Sequence, residues 1–179
     1  NNSSTISGVQ ISNNEITGSF QKAISILAKA EGDHEAIIDD VKVRDNTIYG
    51  TLAATAIADG PSGKAEVRSI NISGNEFSYT SAAIDIQKQA NGTTKLQNFI
   101  IDHNNFAIEN PDESGEVVHL ANVEGNSSFG GNTISITNSP ASVVLNGVRL
   151  SGAATGNWDI KNNELSGGLS GSGIYLQQN

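Results

Sequence analysis

A chain of 179 residues with 10 Lys+Arg against 19 Asp+Glu carries a formal net charge of -9, which repels nucleic-acid phosphates, and no basic stripe offsets it. The absence of cysteine (Cys 0) rules out a disulfide scaffold and zinc-thiolate sites while leaving the compartment open. No run approaches the roughly 18 apolar residues of a spanning helix, so no membrane insertion is expected.

The first element along the chain is a frame, VQISNNEITG from Val9, in which apolar residues alternate up to a turn pair whose second member is Asn14. The frame returns as VKVRDNTIYG from Val41, INISGNEFSY from Ile70, FIIDHNNFAI from Phe99, SSFGGNTISI from Ser127 and WDIKNNELSG from Trp158. Its asparagines, Asn14, Asn46, Asn75, Asn104, Asn132 and Asn163, stand 32, 29, 29, 28 and 31 residues apart. Such a period marks a solenoid, whose repeats bury apolar surface only against their neighbours. Alternation with period two, as in Val9 and Ile11 or Ile70 and Ile72, is that of a strand with one buried face. The residue before each asparagine is Asn13, Asp45, Gly74, His103, Gly131 or Asn162. These residue types tolerate positive φ, so the column reads as a left-handed corner.

After each corner comes a further apolar segment: Ala23 to Leu27, Ala56 to Ala58, Ala83 to Ile86, Val117 to Leu120, Val143 to Leu145 and Gly173 to Leu176. The first of these has a competing local pattern, because Phe20, Ile24 and Leu27 fall at helical spacing among good helix formers between Phe20 and Asp33. The other repeats place a strand there. Each repeat thus holds three short strands, separated by one tight corner and two looser loops, and an all-β parallel β-helix of six coils results. Stacking at ~4.8 Å aligns the asparagines, so each side-chain amide donates to the next, as in cross-β amide ladders. Asn122, in a loop, is expected to carry no such load.

These repeats and their asparagine column resemble the right-handed parallel β-helix family, the pectate-lyase-like superfamily. The resemblance spans Val9 to Leu176. It implies a right-handed solenoid and leaves function open, because that architecture carries lyases, hydrolases, tailspikes, adhesins and inert surface fibres. It also implies that any active site would lie on a stacked strand face. Aligning the last apolar segments puts Ser25, Ala58, Asp85, His119, Leu145 and Tyr175 in one outward column. Asp85 and His119 would be neighbours, and a carboxylate beside an imidazole serves acid-base chemistry, holds a sugar hydroxyl, or forms a solvated cross-strand contact. Tyr175 joins them as a candidate ligand-binding residue, while no residue set identifies a confident catalytic site.

The segments expected of polygalacturonase-like hydrolases do not occur. For lyase chemistry the basic candidates are Arg44 and Lys161, outward on the first strand with Asp102 between them in coil order. Two acidic loops, Glu31 to Asp40 and Glu109 to Glu116, have oxygen ligands suited to calcium but follow no calcium-binding pattern, so no metal or cofactor is assigned. Aromatics are few, and only Tyr49, Tyr79 and Tyr175 look free to meet a sugar. Asn2, Asn91 and Asn126 begin N-x-S/T sequons.

Residues 1–179 are expected to form one β-helix domain, possessing a whole number of coils and no evident cap. Bare coil ends offer unpaired backbone groups, covered either by adjoining parts of a longer chain or by another copy stacked head to tail. The leading expectation is a non-enzymatic structural or adhesive module, extracellular or at the cell surface, assembling into a fibre. The alternative is a polysaccharide-binding or polysaccharide-degrading module.

Overall fold

The computed structural model describes residues 3–18, 22–79, 82–90, 93–111, 113–152, 155–168 and 170–178. Phe20 and the sequon residues Asn2 and Asn91 lie outside the described residues.

The first turn consists of β1 (Ser3–Ser12), β2 (Glu15–Ile16) and β3 (Ile24–Glu31), and the second of β4 (Glu35–Arg44), β5 (Thr47–Tyr49) and β6 (Leu52–Asp59). β7 (Lys64–Ser73), β8 (Glu76–Tyr79) and β9 (Ile84–Ala90) form the third, and β10 (Thr93–Asp102), β11 (Asn105–Glu109) and β12 (Gly115–Ala121) the fourth. The last two are β13 (Ser127–Gly130), β14 (Thr133–Thr137) and β15 (Leu145–Ser151), then β16 (Trp158–Lys161), β17 (Glu164–Gly167) and β18 (Ile174–Gln177). Equivalent strands pair in parallel, giving three sheets of six strands each, a parallel β-solenoid. Val9, Val41, Ile70 and Phe99 stand in one column, as do Ser127 and Trp158, so the frames of the sequence are in register. Among the described residues there is no helix, and so none long and apolar enough to cross a membrane.

The segment with helical spacing is β3, where burial alternates strictly: Ile24, Ile26, Ala28 and Ala30 are buried while Leu27 is 46% exposed. Pairing with Leu52, Ala54, Ala56 and Ala58 of the next coil overrides the local helical preference, because only the strand puts all four residues inside. Inside the coil, Phe77 and Phe106 stack at 5.0 Å between ring centroids, and Phe129 follows at 6.3 Å. The one-coil spacing brings these rings into offset contact.

All six predicted corner residues have left-handed backbone, with φ of 56° at Asn13, 54° at Asp45, 65° at Gly74, 53° at His103, 63° at Gly131 and 55° at Asn162. The expectation of a single tight corner per coil is corrected. The first strands of the first four coils run ten residues and break midway at Gly8, Asp40, Ser69 and Asn98, with φ of 68°, 50°, 55° and 59°. Register pairing skips these positions. Asn122 is likewise a corner, with φ of 55°, and its Oδ1 lies where a Cβ on Gly152 would stand, 2.2 Å away.

The asparagine ladder is continuous. Side-chain Nδ2 donates to the Oδ1 of the following coil at 3.0 Å from Asn14 to Asn46, 2.9 Å from Asn46 to Asn75, 3.0 Å from Asn75 to Asn104, 3.0 Å from Asn104 to Asn132 and 3.1 Å from Asn132 to Asn163. Each acceptor Oδ1 also receives the backbone N-H of the preceding asparagine. The other amide proton reaches backbone carbonyls, from Asn75 to Val43 O and from Asn104 to Ile72 O, both at 2.9 Å. Asn75 and Asn104 are 1% and 2% exposed, whereas Asn14 is exposed. Replacing Asn75 or Asn104 by alanine is therefore expected to cost about 1–3 kcal/mol in urea unfolding, the penalty of stranding buried partners. Asn14→Ala is expected to cost less than about 1 kcal/mol because water replaces the lost bonds, and equal losses at all three positions would contradict a depth-dependent ladder.

Candidate functional site on the third sheet

Outward positions of the third sheet form two columns. Pairing puts Ser25, Ala53, Asp85, His119, Arg149 and Tyr175 in one column. Leu27, Thr55 and Gln87 are aligned in the other, which continues through Ala121, Ser151 and Gln177. The expected column is thus corrected at Ala58 and Leu145, whose places are taken by Ala53 and Arg149. Ala58 belongs to the core cluster, which Ala53 does not join, and Leu145 is fully buried. Loops of unequal length before this strand displace its phase. A bend also places Val117 and Val118 side by side in the core, so alternation alone cannot carry the register across it.

Asp85 and His119 do meet. His119 Nδ1 lies 3.2 Å from Asp85 Oδ1, and Gln87 Nε2 donates to Asp85 Oδ2 at 2.8 Å. The side chains of His119 and Asp85 are 22% and 24% exposed, so the pair is half-buried and reachable from solvent. On its other side His119 Nε2 lies 3.1 Å from Ser151 Oγ. Tyr175 stands two coils from His119, with Arg149 intervening. The Arg149 guanidinium carbon lies 5.7 Å from the Tyr175 ring centroid, its NH1 donates to Glu116 Oε1 at 2.8 Å, and its NH2 donates to Gln177 Oε1 at 2.6 Å. A cation over a ring face fixes the tyrosine against the sheet. Sequence reading missed Ser151, Arg149 and Gln177 and met Glu116 only as part of an acidic loop; these residues carry no motif and become neighbours only once the coils are in phase.

The remaining candidates stand apart. Arg44, Asp102 and Lys161 do share one outward column of the first sheet, but alternate coils separate them, and Lys161 pairs with Asp159. In the acidic loops several carboxylates already face cations: Glu31 with Lys29 at 2.6 Å, Asp40 with Lys42 at 3.3 Å and Glu116 with Arg149 at 2.8 Å. Among the described residues no group of three or more metal-ligating side chains comes together. Tyr49 and Tyr175 are 44% and 39% exposed, while the Tyr79 side chain falls outside what is described. The chain matches no family model, no curated protein and no solved structure.

Charge is neutralised along the axis as well as within coils. Arg68 Nε bridges to Asp39 Oδ2 of the preceding coil at 2.9 Å while its NH1 reaches Glu66 at 3.3 Å. Burial would raise the Asp39 pKa, but hydrogen bonds from Ser69 and Arg68 and the Arg68 charge outweigh it and hold the carboxyl below its usual value. A carboxyl depressed in the folded state stabilises the fold above its unfolded pKa, about 3.9, and that contribution disappears as pH falls through the lower folded value. Asp39→Asn is expected to lower the unfolding free energy from urea titration at neutral pH by under about 1 kcal/mol, as befits a partly exposed pair. The same variant is expected to lose less stability than the parent below about pH 4; parallel acid limbs in a urea series would contradict this role of Asp39.

Proposed function

We propose that the chain is a structural or adhesive module of an extracellular or cell-surface protein, a right-handed β-helix of the pectate-lyase-like kind, which continues head to tail along its axis. The next coil comes from a second copy or from adjoining parts of a longer chain. The polarity of the ladder carries this reading. Every rung donates toward the later coil and accepts from the earlier one, so Asn163 stands at the donor end and Asn14 at the acceptor end. Two such ends complement each other in the sense of the rungs within.

Apolar exposure supports the same reading. Ile6 is 58% exposed, against 8% for its register partner Ile38, and Leu176 is 67% exposed, against 9% for its partner Leu150. One further coil at either end would cover them, at roughly 25 cal/mol per Å² of apolar surface. The extracellular placement rests on the acidic charge, the Asn-, Ser-, Thr- and Gly-rich faces and the resemblance of the repeats.

Sedimentation velocity and negative-stain imaging up to millimolar concentration are expected to show linear species that Leu176→Lys abolishes. A single monomer peak throughout would remove self-stacking, and an intact native mass above 18.6 kDa would then identify adjoining chain as the axial neighbour. A second reading, a polysaccharide-binding or polysaccharide-cleaving module, draws on the Asp85 and His119 contact and on Tyr175 beside Arg149. New reducing ends or unsaturated products from acidic polysaccharides, lost in Asp85→Ala, would place it first.

A further inference from the structure

The line of contacts through His119 has a direction that the Asp85 pairing alone does not convey. A neutral imidazole has one ring N-H. With that proton on Nδ1, held by the Asp85 carboxylate at 3.2 Å, the Nε2 lone pair accepts the hydroxyl of Ser151, whose Oγ lies 3.1 Å away. The three residues come from β9, β12 and β15, strands of consecutive coils, and the backbone ladders between those strands hold the line. Ala121 occupies the outward position between Gln87 and Ser151, and its single methyl leaves the diagonal from His119 to Ser151 open. Gln87 fixes the carboxylate from the far side.

Ser151, 8% exposed, borders an open groove of about 350 Å³ at the last coil together with Leu150, Gly152, Leu176, Gln177 and Gln178. Gln177 is the register partner of Ser151, and its Oε1 accepts from Arg149, so Nε2 is the donor end of that side chain.

We propose that Ser151 is a catalytic nucleophile with His119 as its general base and Asp85 as a positioning residue, acting on acyl esters of a polar alcohol. Gln177 and Gln178, with amide donors and acceptors beside Ser151, match a hydroxylated alcohol. Ser151 Oγ bonds to the ester carbonyl carbon as its proton passes to His119 Nε2, and Gln177 Nε2 donates to the oxygen that gains charge. The bond from carbonyl carbon to alcohol oxygen then breaks, and that oxygen takes the proton from His119. Water repeats the sequence on the acyl-Ser151 ester, releasing the carboxylic acid and restoring the hydroxyl. Nothing is oxidised or reduced. Leu176 also borders this groove, and an axial neighbour would cover it, so turnover is expected of the unstacked chain and is lost where stacks form.

The test compares hydrolysis of p-nitrophenyl acetate by the 179-residue chain and by Ser151→Ala, His119→Gln and Asp85→Asn, each checked by circular dichroism for the intact fold. Acetate hydrolysis is expected to run on the order of 10³-fold faster than in Ser151→Ala. Asp85→Asn is expected to lower the rate and move its pH profile. A fluorophosphonate applied to the unsubstituted protein should add to the peptide carrying Ser151, and this readout needs no variant to fold. Acetate turnover equal to that of Ser151→Ala, with that peptide unlabelled, would overturn the proposal.

Discussion

Each coil must turn a corner with left-handed backbone, where strand pairing stops, and the asparagine after the corner supplies the bonds that the turn interrupts. Its Nδ2 reaches both the carbonyl two residues back, Ser73 O for Asn75 and Asp102 O for Asn104, and the amide oxygen of the next coil. Its Oδ1 receives the backbone N-H of the asparagine before it. A buried corner with unpaired donors and acceptors would be costly. The ladder removes that cost once per coil, and in doing so fixes the axial spacing for every other column.

A fixed spacing constrains what the inside and the outside can hold. Within, like must stack on like: Ile70 on Phe99, and Phe77 on Phe106. Outside, side chains one coil apart are held at hydrogen-bonding reach, so polar residues with nothing in common in sequence become partners. Arg68 joins Asp39, and Lys88 Nζ meets Glu124 at 3.0 Å. The run from Asp85 through His119 to Ser151 arises in the same way. A site assembled on such a face inherits the rigidity of the sheet beneath it, which is what positioned chemistry requires.

The same geometry links mechanical and chemical readings of the molecule. Parallel strands in register have a polarity, and the ladder shares it, so the stack of coils has a defined direction along its axis. The outer face of the third sheet runs along that axis, with its charged and hydroxyl groups at one-coil intervals. The ladder and the outer line draw on different residues, because Asn14 and Asn163 lie in one column and Asp85, His119 and Ser151 in others.

The coil was legible in the sequence because its determinants are local and repeated. Asn14 to Asn163 set the period, alternation from Val9 to Ile11 set the strand, and Asn13, Asp45 or Gly74 marked a corner by their tolerance of positive φ. The breaks at Asp40, Ser69 and Asn98 escaped notice because polar residues at those positions look like ordinary outward strand residues. Tertiary structure alone decided the phase of the third sheet. Loops of different length and the bend beside Val117 displace Ala58 and Leu145 from the outward column and bring in Ala53 and Arg149. Phase then decided which outward residues touch, so Asp85 with His119 could be anticipated while Ser151 could not. The sequence determined what repeats, since hydrophobic period and turn chemistry act within a few residues; only the assembled stack determined what meets, since contact between coils depends on the summed length of everything between them.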